Sequence, residues 1–92
     1  MIVGSLRLRL LIRESRSLKD KRQVVRSIKD RLRQAFNVSV AEVEDQDQRQ
    51  LAVLGVALVG GDARHVRTTL EQIVEAQRSH PVAELLQHDI EV

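Results

Sequence analysis

Apolar side chains alternate along the first dozen residues. Ile2, Leu6, Leu8, Leu10 and Ile12 fall on one face of an extended chain, and Val3, Ser5, Arg7, Arg9 and Leu11 on the other. A period of two predicts a half-buried strand over 2–12. From Leu18 the period becomes 3.6: Leu18, Val25, Ile28 and Leu32 share one helical face, with Val24 and Ala35 at its margin. Ser17 stands where an N-cap belongs, with Asp20 in the favourable first turn. Phe36-Asn37 closes this helix, and Asn tolerates the left-handed backbone that helix ends often use. Two further strands are predicted over 38–44 and 51–59. The polar stretch Asp45-Gln46-Asp47-Gln48-Arg49-Gln50 is too short for a helical crossover, so these strands should form a hairpin. Gly60-Gly61 breaks the third strand, and Asp62 caps a second helix whose buried face is Val66, Leu70, Ile73 and Val74. His80-Pro81 ends the following connection. A last strand is predicted over 85–92, with Leu86, Ile90 and Val92 on its apolar face.

The resulting order, β-α-β-β-α-β, is the ferredoxin-like split-βαβ signature. Right-handed crossovers place both helices on one face of a four-stranded antiparallel sheet of spatial order 4-1-3-2, an α+β two-layer sandwich. The length of 92 residues fits one domain, 1–92, with a modest core. Hydrophobic residues at 42% and charged residues at 30% describe a folded, soluble chain. No Cys is present, which excludes a disulfide scaffold, a thiol nucleophile and any Cys-ligated metal. No apolar run approaches the ~18 residues of a membrane span, and the start lacks the apolar region of a secretory signal. The expected compartment is the cytoplasm, with no membrane partner and no cofactor.

The opposite face of such a sheet is left open. Arg7 and Arg9 should point there from the central first strand, beside Gln87, Asp89 and Glu91 of the last. Cross-strand pairing of opposite charges explains them structurally, and nucleic-acid contact is the alternative. The third strand is apolar on both faces, which a strand with one wet face should not be. With two helices to cover one face, a second subunit is the simplest cover for the other. A homodimer or higher symmetric oligomer is expected, against the alternative of scattered exposed Val and Ala. The open face offers no aromatic ring for stacking bases, except for the undecided orientation of His88, which argues against recognition by stacking on the sheet.

Charge adds a second feature. Residues 1–36 carry eleven Lys/Arg against three Asp/Glu, and residues 37–92 carry four against ten. Such a split points to a polyanion partner, unless the halves neutralise each other within the fold. At 100° per residue, Lys19, Arg22, Arg26, Lys29 and Arg33 fall in a stripe about 80° wide, nearly opposite the apolar face. Arg13 and Arg16 lie just before the helix and extend it. A row of cations repeating each turn can follow a phosphate backbone. A solvated face normally mixes signs, and only Asp30 borders this one. The other readings are plain surface and the docking of an acidic protein. Lys21 falls inside the apolar sector, where its stem should cover the sheet edge while its ammonium escapes at the helix start.

Catalytic chemistry finds little support. Glu42, Glu44, Asp45 and Asp47 surround the hairpin, and two carboxylates at i,i+2 can hold a hard divalent cation for a metal-dependent nuclease. The same charges are also what an edge strand carries against sticking. His65, His80 and His88 lack a metal-ligand spacing, and no serine has a readable His/Asp arrangement. No catalytic, cofactor or metal residues are assigned, and a non-enzymatic role is expected.

The segments Ser17-Leu18-Lys19-Asp20-Lys21-Arg22, Lys29-Asp30-Arg31-Leu32-Arg33 and Phe36-Asn37-Val38-Ser39-Val40-Ala41-Glu42-Val43, with Leu54-Gly55-Val56-Ala57, resemble the YlxP-like family, a bacterial domain of unknown function. The resemblance spans essentially the whole chain. It implies a ferredoxin-like fold, in agreement with the element order. It also implies a role near ribosomal RNA, because the family's genes commonly lie beside genes of translation and ribosome maturation. No catalytic residues carry over from it. The family pattern has an aromatic in the hairpin region where this chain reads Asp47-Gln48-Arg49-Gln50, so any contact made by that ring is in doubt here. Taken together, the expected partner is RNA, with ribosomal RNA foremost, or another polyanion. The expected contact residues are Lys19, Arg22, Arg26, Lys29, Arg33, Arg13 and Arg16. The alternative is an oligomeric scaffold that docks an acidic protein.

Overall fold

The computed structural model describes residues 1–92. The elements are β1 (Ile2–Leu11), α1 (Leu18–Ala35), β2 (Ser39–Glu44), β3 (Leu51–Gly60), α2 (Ala63–Arg78) and β4 (Glu84–Glu91). The strands form one antiparallel sheet ordered β2-β3-β1-β4, the ferredoxin-like arrangement predicted from the element order. Each predicted boundary lies within a residue of the observed one. No helix is long and apolar enough to cross a membrane.

The two periodicities meet in one core. Leu6, Leu8, Leu10 and Ile12 of β1 and its exit pack with the even-numbered side chains of β3, Ala52 to Leu58, under Val25, Ile28 and Leu32 of α1 and Val66, Leu70, Ile73 and Val74 of α2. Gly4 and Gly60 let α2 settle onto the sheet, since a Cβ at either position would lie 2.4 or 2.7 Å from Val66. Ser17 caps α1 through its hydroxyl, which accepts the Asp20 N–H, while the Asp20 carboxylate accepts the Arg16 N–H. Asp62 caps α2 in the same way.

Three local expectations change. Helix α1 does not end in a left-handed residue at Asn37. Phe36 is extended instead, and the one left-handed residue of the chain is Asp45, in the hairpin. In β4 the pairing with β1 slips between Arg9 and Leu10, so that Gln87 opposes Arg9 and Leu85 opposes Leu10. Leu86 is the extra residue of this bulge, and it is exposed while Leu85 packs on the core. His88 opposes the core residue Leu8, so it faces the helix side and the open face carries no aromatic ring.

Candidate nucleic-acid interface

The basic residues of the first half divide into an anchored set and a free set. Arg7 pairs with Glu44, on β2 and not on β4 as the strand order suggested. Arg13 reaches Glu84 at 3.1 Å. Arg33 donates to the Val40 carbonyl at 2.9 Å and lies 3.8 Å from Asp30. Three of these partners, Glu44, Glu84 and Val40, belong to the second half of the chain. The sequence's charge split is therefore partly neutralised by folding.

Lys21 is the extreme case. It is fully buried, and its ammonium donates to the carbonyls of Asp45 at 2.8 Å, Gln46 at 3.2 Å and Leu51 at 3.1 Å. Those three bonds use all its hydrogens. Glu42 Oε2, 2.9 Å away, balances the charge without receiving a hydrogen bond. The ammonium therefore does not escape to water at the helix start, as its place in the apolar sector had suggested. The hairpin's carbonyls converge on it, and the left-handed turn at Asp45 helps present them.

Of the cations left free, Arg9 lies on the open sheet face and Arg31 on the other flank of α1, while the remaining five form the ridge. Arg16, Lys19, Arg22, Arg26 and Lys29 have no carboxylate within 4.0 Å. All are exposed except Lys29, which is half-buried. Lys19 to Lys29 covers about 15 Å of helix at 1.5 Å per residue. The ridge does not lie opposite the buried face. Helical geometry centres it about 110° from the buried sector, on the flank of α1. This explains why Lys29 is half-covered and why Arg33 reaches β2. The outermost face of α1 holds Gln23, Asp30 and Gln34, with Lys19 at its margin. Of the seven expected contact residues, five stand free together, while Arg13 and Arg33 are tied to the protein.

The hairpin carboxylates do not converge. The register shift between Glu42 and Glu44 sends Glu42 inward to Lys21 and Glu44 to the open face at Arg7. No group of three or more His, Asp or Glu side chains is placed to hold a metal ion. Sequence reasoning missed the Lys21 cradle. Its signals were a lysine within the apolar sector of α1 and a carboxylate, Glu42, in phase with the core residue Val40.

At the loop after α2, His80 Nδ1 accepts the N–H of Ala83 at 3.0 Å and of Val82 at 3.2 Å. Burial pushes its pKa below the ordinary 6.5, and the nearby Arg31 guanidinium pushes the same way. The imidazole is thus held neutral, as an acceptor.

Comparison with known proteins places the chain in a family. The chain is 30% identical over 83 residues to the protein named "Uncharacterized protein YlxP" of Bacillus subtilis (strain 168), covering 90% of each. Residues 3–90 match the family described as "Protein of unknown function (DUF503)", and the chain belongs to that family.

Proposed function

We propose that this protein is a non-enzymatic, cytoplasmic RNA-binding accessory factor that acts on ribosomal RNA during ribosome maturation or translation. The observation that carries this reading is the row Lys19, Arg22, Arg26 and Lys29, which has no internal counter-charge. Like charges at i,i+3 and i,i+4 cost a helix tenths of a kcal/mol per pair. A polyanion relieves that repulsion and gains the release of its counterions. Two of the four are arginines, whose planar donors can grip a phosphate with two bonds. The open sheet face, without rings, supports contact with backbone and shape over stacking of bases.

Filter binding of structured ribosomal RNA across a salt series tests this. Reversing Arg22 and Arg26 to Glu together should weaken binding more than about tenfold and flatten the salt slope by about two charges. An unchanged affinity and slope would remove the ridge from the interface. Equal binding to heparin would favour docking of an acidic protein instead.

A further inference from the structure

The sheet face turned away from the helices mixes exposed apolar side chains with charges. Val3 and Val59 stand on it at one end, 56% and 58% exposed, and Val43 rises from β2 at 49%. Between Val43 and β1 the floor is Gly55 and Ala57, which leaves an open trough of about 650 Å³. Val53, on the same face, is only 1% exposed although it lies outside the core cluster. Charges of both signs stand among these side chains, on the inner strand β1 as well as on the edge strand β4. Arg9 on β1 and Asp89 and Glu91 on β4 have no ion-pair partner within the chain.

We infer that this face is the two-fold interface of a homodimer, with the two sheets face to face and their strands antiparallel. The register of the sheet supplies the argument. Across β3, β1 and β4 the outward residues form rows: Val59 and Val3; then Ala57, Ser5 and Glu91; then Gly55, Arg7 and Asp89; then Val53, Arg9 and Gln87; then Leu51, Leu11 and Glu84, whose carboxylate is held by Arg13. A two-fold axis between the sheets, running across the strands at the Gly55 row, reverses this order in the partner. Val3 and Val59 then meet the partner's Leu11 and Leu51. Arg9 then lies over the partner's Ser5, one strand across from the partner's Glu91 and within reach of its long side chain, and symmetry makes that approach twice. The trough over Gly55 and Ala57 lies at the centre, where the partner's Val43 can enter it. In the row on the axis Arg7 and Asp89 face their own copies, so each Asp89 finds an opposite charge only one strand across, at the partner's Arg7, while each apolar end gains an apolar cover.

The footprint is of the right scale. Four strands about 4.8 Å apart and ten residues at about 3.3 Å each give roughly 600 Å² before side-chain relief is counted. A standard interface covers about 800 Å² of accessible surface on each partner. Aligned sheets pack about 10 Å apart at about 30°, which leaves room for interdigitated Val and Ala but not for a layer of water. The same axis sets the two β2 edges on one side of the dimer. If the ridge binds RNA as proposed above, both ridges then address one polyanion.

Sedimentation velocity at micromolar concentration tests the dimer independently of RNA. The wild-type chain should run at twice its 10.5 kDa mass. Ala57→Lys should weaken the dimer by about a hundredfold, because it buries an unpaired ammonium at the centre. Its circular dichroism should stay unchanged, since Ala57 is exposed within the single chain. Arg9→Glu should weaken the dimer about tenfold, and Arg9→Glu with Glu91→Arg should restore it. A wild-type mass of 10.5 kDa would overturn the inference. So would a dimer that tolerates Ala57→Lys, which would place the contact elsewhere. A dimer that Ala57→Lys dissolves but the charge swap fails to restore would overturn the antiparallel register.

Discussion

Lys19 and Lys21 are two residues apart on one helix and have opposite surroundings. Lys19 is exposed with no counter-charge, whereas Lys21 is sealed among three carbonyls and a carboxylate. A rotation of about 200° separates them, and that alone sends one side chain to solvent and the other under the hairpin. The comparison teaches that a basic composition holds two kinds of cation. One kind is a structural fastener that has taken its anions from the fold. The other is a charge the fold leaves unpaired, and it is the one available to a partner.

Mutation should separate the two kinds by stability. The largest effect is expected at Lys21. Lys21→Met leaves Glu42 uncompensated and three carbonyls without a donor, and should cost about 3–5 kcal/mol in urea unfolding. Adding Glu42→Gln should recover part of that loss. A loss under about 1 kcal/mol for the single change would mean that water replaces the ammonium and the cradle is not a fastener. Arg33→Ala should cost less, about 0.5–1.5 kcal/mol, through the lost bond to Val40.

A pH series probes His80, whose pKa is lowered first by burial and then by the Arg31 guanidinium. Folding lowers the His80 pKa, so the neutral imidazole's contribution to stability is complete above the unfolded value of 6.5. It is lost as pH falls through the lowered folded value. The denaturant midpoint should therefore drop as the pH falls below about 6.5, and the drop should be smaller in His80→Asn. A midpoint difference identical in both proteins would put the titration elsewhere. Smallest of all should be the ridge. Arg22→Ala with Arg26→Ala should shift stability by only a few tenths of a kcal/mol, toward greater stability as like-charge repulsion is relieved. A loss above about 1 kcal/mol would show that these side chains are structural after all.

The elements were legible in the sequence because each carries its own period. Leu6, Leu8 and Leu10 mark β1, and Val66, Leu70, Ile73 and Val74 mark α2, with Ser17 and Asp62 announcing the helix starts. The two bulges were not legible. An extra residue in a strand leaves the composition unchanged, yet it turned Leu86 outward and parted Glu42 from Glu44. The ridge was legible as a set of residues but not in its placement, since Arg33 is committed to a carbonyl of β2 that no residue type announces. The Lys21 cradle was hidden for the same reason: its ligands are main-chain oxygens 24 to 30 residues away.

The burial of Lys21 also bears on how the molecule can be handled. The chain contains three lysines, at 19, 21 and 29, and one of them is closed to reagents. Among side chains, attachment to a sensor surface or a dye through primary amines must therefore use Lys19 or Lys29. Both lie on the ridge, so amine coupling there would blunt the surface being assayed, while reaction at Lys21 would report that the protein had opened.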